Sequence, residues 1–210
     1  VDFTVSAGTF DKLQSDSLVL FLSQPPDLTA GVIAAIDSAL NNALTDLVEG
    51  GDFAGKPEQV AVAYSRGLIP ARRIILVGLG KPDEISAESV RRASAVALKR
   101  AQELRASDVV IVPPPFDVSS GVHAAVEGAA LSLWSYRGQK TTPDEANRIA
   151  SITILVSESD LPAATDAART GTAYAHAAIL ARDIANLPPN VCTPAYLAEQ
   201  AVRIAAAHNL

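Results

Sequence analysis

A nearly uninterrupted apolar run, Ser17–Ser23 (SLVLFLS), constrains the fold of this 210-residue chain more than any other feature. A strand with one face in water alternates apolar and polar residues, whereas such a run is typical of a strand buried on both faces. Further short apolar segments follow along the chain, and Asp2–Ala7 alternates as a first strand. The other predicted strands are Gln59–Tyr64, Arg73–Val77, Val109–Val112 and Ile152–Val156.

Segments with helical periodicity separate these strands. The apolar spacing predicts helices over Ala30–Val48, Ser86–Arg105, Val122–Leu133 and Ala163–Leu187. Gly50–Gly51 ends the first of them, and Ser86 with Ser89 gives half of a capping box for the second. The alternation of buried strands with helices predicts an α/β fold with a mixed sheet flanked by helices.

The connections follow the usual turn residues. Gly67 and Pro70 lie between the predicted strands Gln59–Tyr64 and Arg73–Val77 and indicate that the two form a hairpin. Thr141–Asn147 is predicted to be a polar loop. Proline has no amide hydrogen and disfavours helix in the residue before it, so the Pro-Pro-Asn sequence at 188–190 ends the long last helix. Thr193 as N-cap and Pro194 at the first helical position then begin a new helix.

The stretch around this break carries a family resemblance. RDIANLPPNVCTPAYLAEQA resembles the segment R-D-L-x-N-x-P-P-N-x-x-T-P-x-x-L-A-E-x-A, which opens the catalytic half of the leucyl aminopeptidase (cytosol aminopeptidase) family. The matching residues are Arg182, Asp183, Asn186, Pro188, Pro189, Asn190, Thr193, Pro194, Leu197, Ala198, Glu199 and Ala201. GLGK at Gly78–Lys81 and AAVEGAALSLWSYRGQKT at Ala124–Thr141 also fit, so the resemblance covers nearly the whole chain.

The resemblance implies a domain organisation. Residues 1–160 are expected to form the family's N-terminal macro-domain-like α/β unit, 161–187 a long connector helix, and 188–210 the start of the catalytic domain. The family's metal ligands and catalytic residues lie beyond the position that matches Leu210. No catalytic, cofactor-binding or metal-binding residue is therefore assigned in this chain, and the chain alone is expected to be inactive.

The resemblance also implies the activity and partners of the intact enzyme. Members of the family are two-metal exopeptidases that release N-terminal residues, preferentially leucine, from peptides, and their divalent ions are manganese or zinc. The active form is a homo-hexamer in the cytoplasm, with the N-terminal domains on the outside. Residues 1–210 would then have a structural role that shapes the oligomer, without hexamer-forming contacts of their own.

Several other residues could form sites of their own. His123 and Glu127, four apart on a helix, could share a metal ion, but no second His and no Cys supplies a third ligand nearby. His176 and Asp183 could line one face of the last long helix, as packing or as a solvated face. Cys192 lies before a helix start that could lower the pKa of a thiol, but a catalytic cysteine needs a histidine partner.

Two alternatives concern phosphate. Gly78–Lys81 follows a strand and could cradle a phosphate, which would suit a module that binds ADP-ribose or another nucleotide; a strand-to-helix turn is the simpler interpretation. The Ser86–Arg105 helix is basic on one side and could contact DNA, although Glu88 and Glu103 dilute that charge. The basic residues are Arg91, Arg92, Lys99, Arg100 and Arg105.

The composition restricts the class of protein. A formal net charge of −6 argues against a nucleic-acid-binding chain, and a single cysteine, Cys192, excludes an internal disulfide framework. Apolar runs stay well short of the roughly 18 residues that span a membrane. No signal-peptide pattern opens the sequence, so we expect a cytoplasmic protein.

Overall fold

The computed structural model describes residues 1–114, 116–136, 138 and 149–209. The predicted loop at 141–147 lies outside these residues. Strands and helices alternate along most of the chain, and a short 3₁₀ turn at Pro82–Glu84 precedes the third helix. The elements are β1 (Asp2–Ala7), β2 (Ser15–Ser23), α1 (Gly31–Ala39), α2 (Ala43–Glu49), β3 (Val60–Tyr64), β4 (Ala71–Gly80), α3 (Ala87–Glu103), β5 (Asp108–Ile111), α4 (Val118–Ser132), β6 (Ser151–Val156), α5 (Leu161–Ala185) and α6 (Pro194–His208).

The described strands form one mixed sheet in the order β1-β6-β5-β2-β4-β3. All neighbours run parallel except β3, which pairs antiparallel with β4 as the predicted hairpin. The α/β prediction with a mixed, helix-flanked sheet is confirmed.

Helices cover both faces of the sheet, so the molecule has three layers. On one face, α3, α4 and the first half of α5 share one hydrophobic core with Phe21, Val77 and Ile154 of the sheet. On the other face, α1 and α2 pack on Leu20 and Leu76. Because alternate residues of β2 enter both cores, the apolar run of 17–23 is buried on both sides, as predicted.

The helix predicted over Ala30–Val48 is two helices, so that prediction is wrong. Asn41 and Asn42 have φ angles of 55° and 63°, in the left-handed region that asparagine tolerates better than most residues. The chain therefore turns between α1 and α2. The buried carboxylate of Asp37 holds the turn, since its Oδ1 accepts a hydrogen bond from the Leu44 amide at 2.8 Å.

Two helix starts also differ from the prediction. The capping box of α3 is complete, because the Ser89 hydroxyl accepts the Ser86 amide at 3.0 Å while Ser86 Oγ accepts the Ser89 amide at 3.3 Å. Serine thus fills a position where glutamate or glutamine is usual. The helix α4 begins at Val118, one turn before the predicted start at Val122, because Asp117 caps it through the Ser120 amide at 2.8 Å.

The C-terminal elements agree with the sequence. The helix α5 is one uninterrupted helix of 25 residues, and its first half buries Ala164, Ala168 and Gly171, the last of them against the His123 backbone of α4. Thr193 caps α6 by accepting the Tyr196 amide at 3.2 Å, with Pro194 at the first helical position. None of the described helices combines the length and apolarity needed to cross a membrane.

Candidate functional site

The Gly78–Lys81 segment does not form the predicted turn or phosphate cradle, because Gly78–Gly80 are the last residues of β4. The Gly78 amide donates to the Gln59 carbonyl at 2.9 Å, and the Gly80 amide donates to the Gly55 carbonyl at 3.0 Å. A Cβ atom on Gly78 would lie 2.0 Å from the Lys56 carbonyl oxygen. The glycines therefore admit a neighbouring loop, and these two amides are not free to bind phosphate. The structure of this segment therefore does not support the alternative that the chain binds ADP-ribose or another nucleotide through Gly78–Lys81.

His123 and Glu127 do share a face of α4, with 3.7 Å between Nε2 and Oε2. The same Glu127 oxygen accepts a hydrogen bond from Arg91 Nε at 2.9 Å, and the His123 ring lies edge-on to Tyr174, with 5.1 Å between ring centroids. The pair thus joins α3, α4 and α5. Within the described residues, no group of three or more His, Cys, Asp or Glu side chains could hold a metal ion. The described part of the chain does not fit a two-metal centre.

Asp183 contacts a residue that sequence reasoning did not connect to it. Its Oδ1 accepts a hydrogen bond from the indole Nε1 of Trp134 at 2.8 Å. Beside it, the Arg182 guanidinium lies 5.6 Å from the centroid of the Trp134 ring and donates to the Leu131 carbonyl at 3.0 Å. Arg182 and Asp183, the first two residues of the family motif, therefore connect the end of α5 to the end of α4. His176 is exposed on α5.

Cys192 lies in the turn that joins α5 to α6. Its amide donates to the Pro188 carbonyl at 2.9 Å, and its side chain is half-buried. The Val191 amide donates to the same carbonyl at 2.9 Å, so the turn is closed by backbone hydrogen bonds.

The arginines of α3 have acidic partners. Arg91 pairs with Glu88 and Glu127, Arg92 pairs with Glu58, and Arg100 pairs with Glu103 at 2.8 Å. Exposed ion pairs of this kind add little stability. These pairs nevertheless neutralise much of the positive charge on the helix side that the sequence analysis considered for DNA binding.

A cleft at the carboxyl ends of the parallel strands was not predicted from the sequence. After β2 the chain passes to α1 on one face of the sheet, whereas after the neighbouring β5 it passes to α4 on the other. Ligands of open α/β sheets commonly bind at such a reversal. One cavity of about 500 Å³ and an adjoining one of about 410 Å³ lie here and share Val32, Val112 and Pro113 as lining residues.

The larger cavity is mostly apolar. Phe10, Phe116 and Leu155 are among its walls, and its polar side chains include Ser157 and Asp160. Sequence reasoning missed it because these residues come from separate connections that only the sheet brings together.

Comparison with known proteins gives one consistent result. A sequence profile of the N-terminal domain of the cytosol aminopeptidase family matches residues 19–143. The probable cytosol aminopeptidase of Roseiflexus castenholzii is 35% identical over 212 residues, which cover 99% of this chain and 41% of the relative. The chain thus spans about two fifths of the length of that relative.

Solved structures show the same fold. A mutant of tomato leucine aminopeptidase superposes with a TM-score of 0.80 at 22% identity, over 99% of this chain and 43% of its own. The bottromycin maturation enzyme BotP in complex with Mn superposes with a TM-score of 0.67 at 21% identity, over 91% of this chain and 36% of its own.

Proposed function

The chain belongs to the cytosol aminopeptidase family, and on that premise we propose that it is the non-catalytic N-terminal part of a leucyl aminopeptidase. The observation that carries the proposal is the extent of the match. Nearly the whole chain aligns with a cytosol aminopeptidase, yet the aligned region is only 41% of that relative. In the intact protein, the peptide substrates and the chemistry would belong to the region that follows.

The exposed surface of α6 supports this division. Leu197, Val202 and Ile204 are 45%, 68% and 38% exposed, although they are large apolar residues. An isolated helix of this length is marginal in water, so α6 needs a packing partner. We assign residues 188–210 to the start of the catalytic domain, 161–187 to the connector helix and 1–160 to the N-terminal unit.

The metal chemistry is assigned to the intact enzyme. Two divalent ions, manganese or zinc, would polarise the substrate carbonyl and activate a water molecule there. BotP, which shares the fold, has been solved with Mn. The catalytic residues would lie in the same region as the metal pair.

Hydrolysis of leucine p-nitroanilide tests the proposal. Purified residues 1–210, supplied with Mn²⁺, should release no p-nitroaniline above the rate of buffer with Mn²⁺. A full-length cytosol aminopeptidase assayed in parallel serves as the positive control. Metal-dependent turnover by the 210-residue chain would refute the assignment.

The proposed role is structural: the domain shapes a cytoplasmic homo-hexamer of the full-length enzyme from the outside. The expectation is that residues 1–210 do not form the hexamer alone, because its main contacts would lie between catalytic domains. Light scattering should therefore give a mass well below that of a hexamer. A stable hexamer of the 210-residue chain would contradict this part of the proposal.

A further inference from the structure

We propose that the cleft at the carboxyl edge of the sheet binds a small apolar amine, with its ammonium group on Asp160 and its side chain against Phe10 and Phe116. The proposal does not depend on the peptidase assignment, so either can fail without the other.

The size and position of the cleft suit a small ligand. Its larger cavity, about 500 Å³, falls within the roughly 300–1,000 Å³ of small-molecule sites. It lies where the chain leaves β2 and β5 towards opposite faces of the sheet, which is the common ligand position in this class of fold.

The walls select an apolar group. Phe10 and Phe116 offer aromatic surface, and Val32, Pro114 and Leu155 add aliphatic surface around the same space. Val32 on α1 is 38% exposed, so this part of the lining also contacts solvent. Burial of an aromatic or branched side chain against these walls removes apolar surface from water on both partners.

Asp160 offers one carboxylate oxygen that none of the described residues uses. It occupies the N-cap position of α5, yet its side chain accepts no hydrogen bond from the helix. Its Oδ2 accepts the Ser157 hydroxyl at 2.6 Å. Its Oδ1 accepts no hydrogen bond from any described part of the chain. The half-buried carboxylate at the wall of an apolar cavity therefore has one oxygen available for a ligand donor.

The charge of the cleft selects a cation. Among the described residues that line the two cavities, the charged side chains are Asp27 and Asp160, and no Lys, Arg or His is present. The positive ends of α4 and α5 point to this edge, but Asp117 and Asp160 stand at those two helix starts. A phosphate or carboxylate would thus meet carboxylates without a basic partner, whereas an ammonium group meets complementary charge.

Calorimetry with phenylalaninamide tests the site, because this probe has an aromatic side chain and an ammonium group but no carboxylate. The 210-residue chain should bind one molecule with a dissociation constant of about 1 mM or lower. N-acetylphenylalaninamide, which lacks the positive charge, and ADP-ribose, which is anionic, should each bind at least about tenfold more weakly. No saturable heat with phenylalaninamide, or equal affinity for the acetylated probe, would overturn the proposal.

Two substitutions locate the binding. Asp160→Asn keeps the size of the side chain and a good N-cap residue, and it should weaken binding about tenfold. Val32→Lys places a positive charge at the mouth of the cavity from a partly exposed position and should weaken binding similarly. Asp166→Asn, on the exposed side of the same helix where Asp166 pairs with Arg169, is the matched control and should leave the affinity unchanged.

Thermal unfolding of each variant shows that its fold is retained. If either Asp160→Asn or Val32→Lys binds phenylalaninamide as well as the unsubstituted chain does, the amine binds elsewhere and the proposal is wrong. Loss of binding in Asp166→Asn would equally contradict it.

Discussion

Two glycines of α4 allow the same substitution to be tested in opposite environments. A Cβ atom on Gly128 would lie 2.1 Å from the carbonyl oxygen of Arg91 on α3. Real Cβ atoms essentially never come closer than 3.0 Å to such an atom, so this distance is about 0.9 Å too short. The obstructing atom belongs to the backbone, so Gly128→Ala has to push α3 and α4 apart. A Cβ on Gly121, seven residues earlier, would meet only the Phe116 side chain at an ordinary 3.7 Å.

The expected effects follow from overpacking and helix propensity. Forced overpacking of a core costs typically about 1–3 kcal/mol, while Ala in place of Gly within a helix returns up to about 1 kcal/mol. Gly128→Ala should therefore lose about 1–2 kcal/mol, which lowers Tm by about 2–8 °C in a chain of this size. Gly121→Ala lacks the steric cost and should raise Tm by about 2–4 °C.

Thermal unfolding followed by far-ultraviolet circular dichroism measures both variants under one condition. The comparison cancels the effect of residue type, because both substitutions are Gly to Ala in one helix. If Gly128→Ala is as stable as Gly121→Ala, the close approach of α3 to α4 is not as described.

Two further predictions concern polar contacts. The Asp16 carboxylate accepts the Ser107 backbone amide at 2.7 Å and the Ser107 hydroxyl at 2.9 Å, and these bonds, the backbone one foremost, lower the pKa of Asp16 below its usual 3.8. A lowered pKa stabilises the fold above 3.8, and that contribution is lost as the pH falls through the folded-state pKa. Asp16→Asn should therefore cost about 0.5–1 kcal/mol at neutral pH and almost nothing in strong acid, because the half-buried carboxylate is screened in part by solvent. A difference in urea unfolding that is independent of pH would contradict this. Asp183→Ala should release the indole of Trp134, the only tryptophan in the chain. The tryptophan fluorescence should then shift to the red, and acrylamide should quench it more strongly. An unchanged spectrum with unchanged quenching would show that the contact does not hold the indole.

The sheet and its layers could be predicted because they depend on local pattern. The run at 17–23 specifies a strand buried on both faces, and the proline pair at 188–189 specifies the end of α5. Thr193 and Pro194 likewise specify the start of α6, because they are an N-cap residue and a first-turn proline. Residue type and spacing alone determine these features, so no distant contact is needed to predict them.

What the sequence did not predict depends on distant contacts or on unusual backbone angles. Asn41 and Asn42 break a helix whose apolar spacing continues across them, because left-handed φ angles and the buried Asp37 outweigh the pattern. Gly78 resembled part of a turn, but it lies in a strand, where the backbone of another loop passes too close to leave room for a Cβ atom.

The candidate cleft was beyond prediction for the same reason. Phe10, Phe116 and Asp160 are far apart in the chain, and only the parallel arrangement of the strands places them around one cavity. The Trp134–Asp183 hydrogen bond similarly joins the ends of two helices 49 residues apart in sequence.

The most direct test of the central claim is a titration of residues 1–210 with Mn²⁺, in which the electron paramagnetic resonance signal of free aqueous Mn²⁺ is measured. If the metal chemistry belongs to the region that follows in the intact enzyme, the free signal should equal that of the same Mn²⁺ in buffer at every step. Loss of signal that saturates at two ions per chain would place a metal pair within this domain and contradict the account.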